Sequence, residues 1–130
     1  MPRMFNDEVE AAGAGQKSQL RALQAWIYLL GKATNRQLVL YPELSAIMGY
    51  GDERPLARIL GFVAYYCQEH GLPPLTVIVV NRFGEPGGGF PNPDNLSLGQ
   101  LREQVYGYNW FGLMPPTIDE FEEARDAVVG

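Results

Sequence analysis

The side chains in this sequence best equipped to meet a ligand are three arginines and a tyrosine. Arg54 and Arg58 stand four residues apart at the start of a predicted helix, and Arg82 follows a long apolar run. Guanidinium groups at the head of a helix and beside a turn are suited to phosphates and base edges. Tyr41, just before Pro42, is placed to support a neighbouring helix. Against this stands a simpler reading, in which Asp52, Glu53 or the acidic C-terminus pairs with the arginines at the surface. Other chemistry is poorly supplied. With one cysteine, Cys67, and one histidine, His70, neither an internal disulfide nor a Cys/His zinc site can be assembled. Cys67 falls on the apolar face of its helix, where a thiol is inert, and His70 is expected to cap that helix. Glu43, Asp52 and Glu53 could serve a hydrolase or nuclease, but all three lie near helix starts, where capping accounts for them. Gly84 to Gly89 lacks the Gly-x-x-x-x-Gly-Lys pattern of a phosphate cradle and reads as a turn. No catalytic residue, metal ligand or cofactor site is therefore expected. Two aromatic groups complete the inventory. Tyr65-Tyr66 should divide between rim and core, and Tyr106, Tyr108, Trp110 and Phe111, with Met114, form either a partner-binding patch or a lid over the core.

The elements that must position these residues follow from periodicity and punctuation. Residues 1–16 show no sustained period and read as a flexible leader to a single domain over 17–130. Leu20, Leu23, Ile27 and Leu30 recur at helical spacing from Ser18 to Lys32, with Trp26 and Leu29 widening the stripe. Leu38-Val39-Leu40 is a short strand candidate. Pro42 then opens a short helix that should bury Leu44, Ile47 and Met48 and stop at Gly49. Pro55 opens the next, with Leu56, Ile59, Leu60, Val63 and Cys67 on one face and Gly71 beyond its end. Pro73-Pro74 leads into Leu75-Thr76-Val77-Ile78-Val79-Val80, a β-branched run expected to be a buried strand. Ser97-x-x-Gln100 and Thr117-x-x-Glu120 are capping boxes that predict helices over 98–106 and 118–128.

Length and composition agree with one domain. The chain has 130 residues, is 46% hydrophobic and 12% aromatic, and carries a formal net charge of −5, which opposes non-specific binding to phosphates. The acids are unevenly spread. Three lie in residues 1–10 and five in residues 117–130, leaving seven acids against eight bases between them, so a basic face can exist in the middle. No apolar run reaches the roughly 18 to 20 residues of a membrane span. The first residues lack the basic-then-apolar order of a signal peptide, so the expected compartment is the cytoplasm.

Two stretches bring a resemblance into view. Tyr41-Pro42-Glu43-Leu44-Ser45-Ala46-Ile47-Met48-Gly49 is similar to the Tyr-Gly-x-Leu-Ala-x-x-x-Gly helix of alkylguanine-DNA alkyltransferases. Ala57-Arg58-Ile59-Leu60-Gly61 is similar to that family's Ala-Arg-Ala-Val-Gly recognition helix, whose arginine takes the place of a flipped base. The resemblance covers residues 38–90 and implies an α+β fold: a winged-helix-like helix-turn-helix core with a short β-sheet, here followed by additional C-terminal helices. Where the family has Pro-Cys-His-Arg, this chain has Val79-Val80-Asn81-Arg82. The acceptor thiol and its activating histidine are absent, as alkyl transfer cannot tolerate. The resemblance thus implies a protein akin to the catalytically silent alkyltransferase-like relatives.

Two functions are expected on this basis. The first is a non-catalytic module that binds double-stranded DNA through Arg54, Arg58, Arg82 and Tyr41. The second is a protein-binding module of the inhibitor or immunity type, which meets a basic partner through its acidic ends and Tyr106, Tyr108, Trp110 and Phe111.

Overall fold

In the computed structural model, which describes residues 2–12, 16–88, 90 and 92–129, six α-helices surround a two-stranded parallel sheet. The helices are α1 (Phe5–Ala11), α2 (Lys17–Thr34), α3 (Tyr41–Ile47), α4 (Leu56–Glu69), α5 (Leu98–Gly107) and α6 (Ile118–Val129). The strands are β1 (Val39–Leu40) and β2 (Val79–Val80), paired in the register Val39 to Val79 and Leu40 to Val80. The coarse expectation of a mixed α+β chain with a short sheet and C-terminal helices is met. The strand pairing, however, is parallel, with the antiparallel bridge from Val80 to Pro86 closing the following turn. None of the described helices is long and apolar enough to cross a membrane.

Helix α4 is the axis of the molecule. It packs against α2 and α6, and its buried face carries Leu56, Ile59, Leu60, Val63 and Cys67 as the spacing predicts, joined by Phe62 and Tyr66. Around its C-terminal half four aromatic rings interlock. The Trp26 ring meets those of Tyr66, Trp110 and Phe121 edge-on, at centroid distances of 5.3, 5.7 and 6.3 Å, the geometry that the ring quadrupole favours. Trp110 also donates its indole N–H to the Val105 carbonyl at 2.7 Å, so its one polar atom is satisfied inside the core. Tyr65 and Tyr66 divide as expected, with Tyr66 buried and Tyr65 half-exposed.

Three expectations about the core are corrected. The stripe of α2 that faces inward keeps the expected Trp26, Leu29 and Leu30 and adds Ala22, Ala25 and Ala33, while Ile27 is 52% exposed and Leu20 and Leu23 are only partly covered. Alanines on that face let α4 and α6 approach closely, which turns the helix away from its most aliphatic side. On α3, Leu44 and Met48 are buried but Ile47 is 52% exposed. The apolar run 75–80 is not a continuous strand. Leu75–Ile78 closes a 3-10 turn, and only Val79–Val80 pair. The reason lies in where β1 begins: in the parallel register residues 75–78 would lie opposite 35–38, which follow directly on α2 and are not strand, so they have no strand beside them. Their backbone bonds locally, Val77 N–H to Pro74 O, and Leu75, Val77 and Ile78 remain buried as their composition requires.

Local signals succeed where capping chemistry is explicit. Ser97 and Gln100 form a reciprocal capping box at α5. Thr117 and Glu120 do the same at α6. Gly49 and Gly71, which follow α3 and α4, take φ of +77° and +65°, a region costly for any residue with a Cβ. In residues 1–16, where no periodic element is evident, α1 packs on α2 with Val9 turned inward, and an Arg3–Glu8 ion pair spans its first turn.

Candidate nucleic-acid interface

A cleft of about 470 Å³ opens between α4, Tyr41 and the Gly87–Gly88 segment. Sequence dictates its shape. Ala57, Gly61 and Ala64 recur at helical spacing along one side of α4, and three small residues on one face leave a trough. A hydrogen bond from Gly87 N–H to the Tyr41 hydroxyl at 2.8 Å ties the opposite wall to α3. A Cβ at Gly87 would lie 2.5 Å from that hydroxyl oxygen, so any other residue there would displace the Tyr41 hydroxyl. Tyr41 accepts this bond and retains a hydroxyl proton for a ligand. Tyr65, Thr76 and Glu53 supply the other polar groups of the lining.

The arginines differ sharply in their surroundings. Arg54 is neutralised locally: its Nε and Nη2 donate to the two carboxylate oxygens of Asp52 at 3.1 and 2.8 Å, and its backbone N–H donates to the same carboxylate. This pairing holds the Asp52 carboxyl below its usual range. Arg58, four residues on, has no carboxylate within 4.0 Å among the described residues. Its Nε donates to the Ser18 hydroxyl at 3.0 Å, and the guanidinium lies over the Phe62 ring. Lys17 and Arg21, on the same first turns of α2 as Ser18, are likewise without a carboxylate partner among the described residues, and Arg21 lies over Tyr50. Arg82 is exposed on the turn after β2, stacked on Phe83. The structure therefore ties Arg58 to Ser18 in the stretch of α2 that also carries Lys17 and Arg21, two cations that sequence reasoning did not single out. The signal was present in the first turn of α2, which carries bases and no acid.

The other candidate groups are engaged elsewhere. Glu43 accepts from the Tyr28 hydroxyl at 2.5 Å and pairs with Lys32 at 3.1 Å. The Tyr28 hydrogen bond is the main reason that the Glu43 carboxyl is pulled below its usual range, with Lys32 adding to it. This triad ties α3 to α2. Glu43, Asp52 and Glu53 therefore do not converge, and the described residues contain no group of three His, Cys, Asp or Glu able to hold a metal ion. Cys67 is buried, and burial pushes its thiol up to about 12, so no thiolate forms near neutrality. Val80 is 2% exposed and carries no nucleophile. Asn81 spends its side-chain oxygen on the backbone N–H groups of Phe83 and Glu85. His70 is the C-cap residue of α4, and its ring lies on Tyr66 at 4.2 Å.

The aromatic segment separates into two parts. Trp110 is 1% exposed and belongs to the core, which removes it from any surface. Tyr106 and Tyr108 are half-buried, one beneath the Arg36 guanidinium and the other against Trp110. Phe111 and Met114, at 66% and 85% exposure, stand out. A larger cleft of about 820 Å³ lies at the other end of α4, with Pro73, Pro74 and Tyr108 in its walls. Its described lining holds no lysine or arginine, and its Glu103 is paired with Arg36. Neither described lining holds a lysine or arginine; the smaller cleft is singled out by sharing the N-terminal half of α4 with Arg58, whose guanidinium has no carboxylate partner among the described residues. No family model, no curated protein and no solved structure matches this chain.

Proposed function

We propose that the chain is a non-catalytic module that binds double-stranded DNA, with α3 and α4 as the helix-turn-helix pair of a winged-helix-like core. The observation that carries the reading is Arg58: an exposed guanidinium on α4 without a carboxylate partner among the described residues, tied to Ser18 in the stretch of α2 that carries Lys17 and Arg21. A net charge of −5 opposes DNA binding only if spread evenly. Here the acids gather in α1 and α6, and most bases near them are paired, whereas Lys17, Arg21, Arg58 and Arg82 are left for phosphates. The small-residue trough on α4 and the Tyr41 hydroxyl then lie where a groove edge or an extruded base would be received. Because Val80 and Asn81 stand where an acceptor thiol and its base would be needed, binding is not followed by transfer.

The test is a fluorescence-anisotropy titration of a labelled duplex, with and without an alkylated guanine, at two salt concentrations. Four phosphate contacts give a slope of log K against log salt of about −3.6, or a loss on the order of 100-fold between about 50 and 200 mM salt. Arg58→Ala makes the slope shallower by about one. A protein partner is the second reading, favoured by the exposure of Phe111 and Met114 beside the acidic α6. On that reading no duplex binds even at low salt, and charge reversal at Asp119 and Glu123 is the damaging change.

A further inference from the structure

The turn after β2 presents an aromatic ring in a way that the core does not require. Phe83 is 70% exposed, and it sits at the tip of a turn pinned from several sides. Asn81 Oδ1 accepts from the N–H groups of Phe83 and Glu85 at 2.9 and 3.0 Å. The backbone closes twice, Asn81 N–H to Glu85 O and Gly84 N–H to Asn81 O, both at 2.9 Å. Arg102 reaches across from α5 to give its Nη2 proton to the Gly84 carbonyl at 2.7 Å. An exposed ring on a loose loop loses much of its binding energy to ordering, but a ring on a pinned turn does not. Its companion is a cation: the Arg82 guanidinium lies 4.8 Å from the ring centroid. Neither Arg82 nor Arg102 has a carboxylate within 4.0 Å among the described residues, so the tip joins an exposed ring, with Arg82 over one face, to uncompensated positive charge.

We infer that Phe83 stacks on a nucleobase of the bound duplex, with Arg82 on the adjacent phosphate. This deepens the DNA-binding reading and rests on it. Charge decides the class of partner. A purely apolar partner would leave two guanidinium groups without counter-charge, whereas a duplex supplies, where the ring wedges into and unstacks one base step, a π-face and a phosphate within one nucleotide. Reach agrees as well. Phe83 lies four positions before Gly87 of the cleft wall, a span of at most about 14 Å, or about four base-pair steps at 3.4 Å each. The tip and the cleft therefore fall on the same short stretch of duplex. Phe111, of similar exposure, has no cation over its ring among the described residues.

The experiment uses the full chain and a duplex bearing 2-aminopurine, read by anisotropy for affinity and by base fluorescence for stacking. Phe83→Ala is expected to weaken binding by about tenfold or more, to leave the salt slope unchanged because no charge is removed, and to abolish the 2-aminopurine response. Phe83→Trp is expected to restore the affinity and the 2-aminopurine response. Since the residue is exposed, the thermal midpoint of both variants should match that of the parent. If Phe83→Ala binds and reports like the parent while Arg58→Ala loses affinity, the stacking role is overturned and the DNA reading stands. If the parent itself binds no duplex at about 50 mM salt, both are overturned together.

Discussion

The two ends of α4 are built on opposite principles. Its C-terminal half is enclosed, with Tyr66 and Cys67 buried among Trp26, Trp110 and Phe121 and each polar atom of Trp110 satisfied. Its N-terminal half keeps one face in the core through Leu56 and Ile59, turns Ala57 and Gly61 to a cleft and leaves Arg58 exposed against Ser18 of α2. One end therefore holds the helix still so that the other can present small residues and a free cation. The difference teaches that in this molecule rigidity and recognition are divided along a single element rather than between domains. Each half should respond to substitution in its own currency.

The largest expected effect is at the enclosed end. Trp110→Ala removes a ring in contact with Trp26 and Tyr108 and should destabilise by about 3–5 kcal/mol, read from urea denaturation followed by circular dichroism. A loss under about 1 kcal/mol would mean that the aromatic cluster does not anchor the helix. Next comes the open end. Arg58→Ala should lower duplex affinity by about tenfold, roughly 1.4 kcal/mol, while leaving stability within about 0.5 kcal/mol. A variant that unfolds instead would erase the division between the two halves.

A smaller effect is expected at the Tyr28–Glu43–Lys32 triad, which fixes α3 against α2 and so sets Tyr41. Tyr28→Phe should cost about 1 kcal/mol and change the acid limb of stability in a defined direction. Because the folded carboxyl of Glu43 is held below its ordinary value of 4.5, the unfolded chain binds that proton more readily. The contribution is thus fully present above pH 4.5 and is lost as pH falls through the lower folded value. Without the Tyr28 hydroxyl that dependence should flatten, as measured by chemical denaturation between about pH 6 and 3. Arg54→Ala should do least. Its guanidinium is already committed to Asp52 at the surface, so stability should stay within about 0.5 kcal/mol, and duplex affinity should fall less than for Arg58→Ala.

The sequence made the helices legible where their ends are written in capping chemistry: Ser97 with Gln100, Thr117 with Glu120, Pro42 and Pro55 at helix starts, Gly49 and Gly71 after the ends. It was less informative wherever a partner decides the outcome. Leu75–Ile78 reads as strand by composition, yet whether it is one depends on the length of β1, nearly forty residues away. Ile27 and Ile47 look like core because aliphatic recurrence shows that a helix is amphipathic without saying which adjacent stripe the neighbours choose; alanines at 22, 25 and 33 decided it. At the candidate site, Arg58 and Tyr41 could be named from the sequence, but Arg54 and Arg58 could not be ranked, since the Asp52 pairing depends on the fold of the loop before α4. Lys17, Arg21 and Phe83 were missed because they sit on other elements or on a turn with no motif of its own.

The most direct test of the central claim is a map of backbone amide shifts in a nitrogen-15 correlation spectrum as an unlabelled duplex is added. The account predicts perturbations at Lys17 to Arg21, Tyr41, the first two turns of α4 and Asn81 to Gly88, with the amides around Trp110 and Phe121 unmoved. Perturbations confined to Phe111 to Met114 and α6, or none at all, would contradict it.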